Sequence, residues 1–137
     1  KVIGERFSKA GLDAKIQRDV NVHVPVTQHD LKVPFAFQNG RFNLIAPVRF
    51  QAKELGPARS TACNYAVEGR SLYAHRDEKL GGMQLLVVGS FGPKSSKTRS
   101  TVRRVLEDSD VKLFTVAELP ELIDEIQRTG KDVSPVD

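Results

Sequence analysis

The sequence predicts an α/β (α+β) domain in which a mixed central β-sheet of about five strands is flanked by helices. Two observations predict this class. Three β-prone stretches follow one another before residue 51, as in a meander, and helices then alternate with strands to the end of the chain. The resulting order is α-β-β-β-α-β-α-β-α. A length of 137 residues suits one domain, which we assign to residues 1–130.

The remaining residues, 131–137, are expected to form a flexible C-terminal tail. The chain starts at Lys1 and its only methionine is Met83, so we expect it to be a fragment of a longer protein.

The individual elements follow from the spacing of apolar residues. Residues 2–10 place apolar side chains along one helical face, and Gly11 follows as a stop. Valines at every second position from Val20 to Val26 predict a strand with one buried face. The second half of the chain supplies predicted helices at about 60–76, 96–107 and 116–128, and predicted strands at 85–88 and 111–114.

A β-hairpin is predicted between residues 33–37 and 42–50. Asn39–Gly40 separates these two apolar stretches, and Asn-Gly is typical of a type I′ turn, whose two central residues need positive φ. Pro34 and Pro47 interrupt the stretches. Because proline has no backbone N–H to donate, we expect both prolines at sheet edges or bulges.

Composition limits the classes of protein to which the chain can belong. Hydrophobic residues make up 39% and charged residues 28%, as in ordinary globular domains. The single cysteine, Cys63, excludes an internal disulfide and favours a reducing, cytoplasmic location. No apolar run approaches the roughly 20 residues that a membrane span needs, so we expect no membrane partner.

Charge is distributed unevenly along the chain. The net charge is +4, a mild bias towards polyanions such as DNA. Between residues 90 and 106 the chain has five cations and no acid, and acids then concentrate at 118–125. The candidate nucleic-acid-binding residues are therefore Lys94, Lys97, Arg99, Arg103 and Arg104.

The element order, together with two segments, resembles the restriction-endonuclease-like (PD-(D/E)xK) superfamily, whose core is αβββαβ. The segments are NGRFNLIAPVRFQAK and VKLFTVAELPELIDEI, and the first is similar to the QxK motif of the Mrr-type branch. The resemblance implies a metal-dependent nuclease in which Gln51 and Lys53 supply the motif. Glu5, on the first helix, is then the candidate for a second acid.

Hairpin geometry suggests the acid on the neighbouring strand. With Asn39–Gly40 as the turn, partner numbers sum to about 79, which places Arg49 opposite Asp30 and gathers Asp30, Gln51 and Lys53 at the open end. Asp30 would then bind Mg²⁺ as a hard oxygen ligand, and Gln51 would lend a carbonyl oxygen. Lys53 would stabilise the negative charge that develops on the phosphate.

Several functions stay open on this sequence. Aspartate, the residue type at position 30, is also common in turns, and one carboxylate with one amide oxygen supplies few ligands for a metal ion. We therefore favour a catalytically degenerate, nucleic-acid-associated or protein-interaction module, with no cofactor, from a prokaryotic or phage protein. One alternative is an active Mg²⁺-dependent DNA nuclease. Another is a structural or oligomerisation domain, in which case a protein partner or homodimer replaces DNA.

Overall fold

The computed structural model describes residues 2–50, 55–77, 80–93 and 95–133, and these form four α-helices and five strands in the predicted order. The elements are α1 (Val2–Lys9), β1 (Gln17–Val24), β2 (His29–Gln38), β3 (Phe42–Arg49), α2 (Leu55–Ala74), β4 (Met83–Ser90), α3 (Ser96–Glu107), β5 (Lys112–Thr115) and α4 (Leu119–Thr129), with a short 3₁₀ turn at Val116–Glu118 before α4.

One mixed sheet joins all five strands in the order β1-β2-β3-β4-β5. The first three strands pair antiparallel as a meander, and β4 and β5 pair parallel to β3. The predicted fold class, a mixed sheet flanked by helices, is therefore confirmed. None of the helices in the described residues has the length and apolar character needed to cross a membrane.

Both faces of the sheet are covered by helices. On β3 and β4, Leu44 and Val87 face α2 and α3 in one core cluster, while Ile45 and Leu86 face α1 and α4 in the other. Burial on both faces is typical of parallel strands, and it explains why β4 reads as a continuous apolar run rather than an alternating one.

The predicted hairpin is present, but its turn is one residue longer than expected. Gln38 pairs with Phe42, so partner numbers sum to 80 and the loop spans residues 39–41. The side-chain amide of Asn43 donates to the Arg41 carbonyl (2.9 Å) and to Asn39 Oδ1 (2.7 Å). These bonds hold Arg41 in the loop, and Gly40 supplies the positive φ of 107°.

The two strands of this hairpin pair only near the turn. Their ladder runs from Phe42 to Ile45 on β3. Beyond that point Asp30 pairs with His23 on β1, and Arg49 pairs with Ser90 on β4. The prediction that Arg49 faces Asp30 is therefore wrong.

A kink shared by β1 and β2 accompanies this separation. Arg18 packs over Phe35 on the α1 side of the sheet, whereas Val20 and Val33 lie in the opposite core cluster. Residues two apart on a regular strand share a face, so β2 changes face at Pro34 and β1 changes face at Asp19, whose φ is +53°. Its neighbour across the ladder is Pro34, which has no N–H to donate.

Pro47 likewise lies where its missing backbone N–H does not interrupt the pairing of β2 with β3. It lies on β3 beyond Ile45, where β2 no longer pairs with this strand. Its one ladder partner is Val88 of β4. Pro47 therefore has a pairing strand on one side only, as expected for a proline at a sheet edge, although β3 is a central strand.

Two boundaries differ from the sequence-based expectation. Helix α2 begins at Leu55 rather than near residue 60, because Pro57 lies in its first turn, where a missing N–H costs no helical hydrogen bond. After α4, Lys131 N donates to the Gln38 carbonyl and Val133 N to the Ala14 carbonyl. The described part of the segment that we expected to form a tail is therefore attached to the domain.

Candidate nucleic-acid interface

The residues of the predicted nuclease site are not brought together in the described part of the chain. Asp30 is exposed, with its carboxylate 3.4 Å from His23 Nδ1. Glu5 instead lines an open surface depression of about 600 Å³ together with Arg18, Asp19 and other residues, and Asp30 does not line it. Gln51 and Lys53, like Lys94 of the basic segment, lie outside the described residues.

Metal binding finds no support in the side chains that the structure describes. Within residues 2–50, 55–77, 80–93 and 95–133, no group of three or more His, Cys, Asp or Glu residues could hold an ion. The pairing of β2 with β3 ends before β2 reaches Asp30, so it does not bring Asp30 to the end of β3.

A different constellation lies at the edge of the sheet where β3 and β4 end. Arg49 and Ser90 are partners in the parallel ladder, and Phe50 N donates to the Ser90 carbonyl at 2.9 Å. Because β3, β4 and β5 are parallel, α2 and α3 both begin at this edge. In open α/β sheets the carboxyl ends of parallel strands are the usual location of ligand sites.

Both helices present their positive ends there. The first turns of α2 and α3 carry no acidic residue, so no acidic side chain within these turns offsets the partial positive charge of a helix N-terminus. Ser95, at the N-cap of α3, makes no side-chain capping hydrogen bond.

Four exposed cations lie in the parts of three elements that are nearest this edge. Arg49 ends β3, Arg59 lies in the second turn of α2, and Lys97 and Arg99 lie in the first turn of α3. We call this set the basic edge. Lys97 and Arg99 belong to the predicted basic segment. Arg49 and Arg59 lie about 40 residues earlier in the chain, Arg49 at the end of the strand that pairs with β4 and Arg59 in the second turn of α2. The predicted Arg104 is exposed farther along α3.

Arg103, which the sequence predicts as a nucleic-acid contact, is instead bound to other parts of the domain. Its guanidinium donates to the Leu113 carbonyl (3.1 Å) and to Glu118 Oε1 (2.7 Å), and it also lies 3.6 Å from Glu107 Oε2. The hydrogen bond to Glu118 raises the pKa of Arg103 further above its usual value. We therefore leave Arg103 out of the basic edge.

Glu118 belongs to a capping box at the start of the 3₁₀ turn. Its carboxylate accepts from Thr115 N at 2.9 Å, and its own N–H donates to Thr115 Oγ1. The bond from the Thr115 backbone and the ion pair with Arg103 lower the pKa of Glu118. The basic and acidic segments of the sequence thus meet at this ion pair.

A second surface feature is an apolar groove between α2 and α3. Its lining includes Val26, Cys63, Val67 and Val105, in a depression of about 520 Å³. Val26 and Val67 are more than half exposed. Cys63 is exposed as well, contrary to the buried hydrophobic role that is common for a free cysteine.

Comparison with known proteins identifies no relative: no family model, no curated protein and no solved structure matches this chain significantly.

Proposed function

We propose that this domain is a nucleic-acid-associated module that binds phosphates at the basic edge and does not cut them. The observation that carries the proposal is the position of four exposed cations, Arg49, Arg59, Lys97 and Arg99, at the end of β3 and in the first two turns of the two helices that begin at this edge. Their exposure leaves all four side chains free to reach a ligand.

Electrostatics supports a polyanion as the ligand. Exposed cations gain little from isolated surface ion pairs, but a phosphate backbone meets several of them at once and releases its condensed counterions. The partial positive charge of helix N-termini also favours phosphate oxygens. The restriction-endonuclease-like resemblance agrees with a nucleic-acid role, and we propose that the chain is a degenerate member of that superfamily.

The Mg²⁺-dependent nuclease is the alternative within the same resemblance. It requires Asp30 to meet Gln51 and Lys53, and the β2–β3 pairing on which that meeting was predicted ends at Phe35 and Ile45. Mg²⁺-dependent DNA degradation that Lys53→Ala abolishes would establish this alternative.

The apolar groove favours a second kind of function, an oligomerisation or protein-interaction domain. Val26 and Val67 expose apolar surface there, and no element among the described residues covers them. A dimer that lacks nucleic-acid affinity and dissociates in the Val67→Asp variant would support this function instead.

Binding of fluorescein-labelled 20-nucleotide DNA, single-stranded and duplex, tests the proposal by fluorescence anisotropy. We expect the triple variant Arg49→Ala/Lys97→Ala/Arg99→Ala to lose most of the affinity for both forms. The matched control is Arg76→Ala, an exposed cation just after the opposite end of α2, which should bind like the unchanged protein. Equal binding by the triple variant and the control would refute the proposal.

A further inference from the structure

One aromatic ring of the basic edge, that of Phe91, has no role in the phosphate contacts proposed above. Phe91 directly follows β4 and is only partly buried, whereas Phe50, directly after β3, is 3% exposed. Their ring centroids lie 5.0 Å apart with 10° between the planes. Phe50 therefore covers one face of the Phe91 ring, and we call the opposite face its outer face.

Gly89 fixes this arrangement. A Cβ at position 89 would lie 3.0 Å from Phe50 and 3.1 Å from Phe91, closer than ordinary van der Waals contact. The absence of a side chain there lets both rings pack against β4. The Phe91 ring is thus ordered by folding, so a ligand that stacks on it loses little additional conformational entropy.

Cations of the basic edge lie close to Phe91 along the chain and across the sheet. Arg49 pairs with Ser90, the residue before Phe91. Lys97 and Arg99 lie in the first turn of α3, the helix that follows Phe91. A stacking ring near phosphate-binding cations is the combination by which proteins bind single-stranded nucleic acid.

We infer that the basic edge binds single-stranded nucleic acid, with one base stacked on the outer face of Phe91. This inference rests on the proposed function. The bases of a duplex already stack on one another, so their faces are hidden from a protein ring, and only an unpaired base can use Phe91. Stacking is largely independent of sequence because every base has a π-face.

The test compares three labelled probes by anisotropy: a 15-residue oligothymidylate, an abasic strand with the same number of phosphates, and a 15-base-pair duplex. We expect the oligothymidylate to bind tightest. Phe91→Leu, which keeps an apolar side chain but removes the ring, should weaken oligothymidylate binding by about 5- to 150-fold, the range for one stacked base. Binding of the abasic strand and the duplex should not change, and Phe91→Tyr should keep the preference for oligothymidylate.

The outcomes separate the two proposals. Equal affinity for oligothymidylate and the abasic strand overturns the stacking inference but leaves the basic edge intact. Equal loss for all three probes in a Phe91→Leu protein with an unchanged circular dichroism spectrum overturns it as well. If no probe binds at moderate salt, the proposed function itself is wrong and the inference falls with it.

Discussion

Gly69 offers a sharp test of how α2 is seated on the sheet, and hence of how Arg59 is positioned. It lies in the middle of α2, where replacing glycine by alanine ordinarily stabilises a helix by about 1 kcal/mol. Here an added Cβ would fall far inside van der Waals contact of Val111 Cγ2 and 3.3 Å from Leu85 Cδ2. Val111 and Leu85 are 1% and 0% exposed, so neither has room to move away.

The net effect of Gly69→Ala follows from these two opposing contributions. Overpacking a dense core costs about 1–3 kcal/mol, and a clash this close belongs at the upper end. Subtracting the helix-propensity gain of about 1 kcal/mol leaves a destabilisation of about 2 kcal/mol. For a domain of this length, that corresponds to a decrease in Tm of about 8 °C.

Thermal unfolding followed by far-ultraviolet circular dichroism measures this decrease. Gly56→Ala is the matched control in the same helix, because a Cβ there meets nothing within 4 Å; its Tm should be unchanged or slightly higher. In a Val111→Ala background, which removes the obstructing methyl groups, Gly69→Ala should cost less than it does alone. A Gly69→Ala protein as stable as the unchanged one would refute the packing of α2 against β4 and Val111.

Two further predictions concern the Arg103–Glu118 pair. Because the pKa of folded Glu118 lies below its ordinary value of 4.5, its charged form stabilises the fold above that pH, and the stabilisation is lost as pH falls through the lower folded pKa. Glu118→Gln should therefore cost about 1 kcal/mol in urea unfolding at pH 7 and much less at pH 3; an equal cost at both pH values would contradict this. Arg103→Ala should lower the Tm and leave DNA affinity unchanged, whereas Lys97→Ala should lower DNA affinity and leave the Tm unchanged. A loss of DNA affinity in a folded Arg103→Ala protein would show that Arg103 belongs to the interface.

Local patterns in the sequence were sufficient for most of the fold. Helix α3 has the predicted bounds, Ser96–Glu107, because its buried residues repeat at helical spacing. The apolar run at 85–88 predicted a central strand, since burial on both faces removes alternation. Such patterns depend on residues close together in the sequence, so they can be interpreted without knowing the tertiary structure.

The strand register and the strand curvature could not be predicted from the sequence and became known only from the structure. The one-residue difference in the hairpin depends on where the Asn43 amide bonds. The departure of β2 from β3 coincides with Asp19, whose positive φ has no signature in a strand of alternating valines. A slip of one residue together with a change of partner strand was enough to separate Asp30 from the position in which the sequence placed it.

For a related reason, the sequence predicted only part of the candidate site. The density of cations in residues 94–104 predicted Lys97 and Arg99, but Arg49 joins them only through a parallel register between segments about 40 residues apart. Arg103 had to be removed because Glu118, fifteen residues away, binds it. Charge counts along a chain do not distinguish a cation that is free from one that is already paired.

The salt dependence of DNA binding tests the basic edge most directly. Four phosphate contacts predict that log K for a single strand falls with log salt concentration at a slope of about −2.8. Removing Arg49, Lys97 and Arg99 together should reduce the slope to about −0.7, while Arg76→Ala should leave it unchanged. A slope that is near zero in the unchanged protein, or as steep in the triple variant, would contradict phosphate binding at this edge.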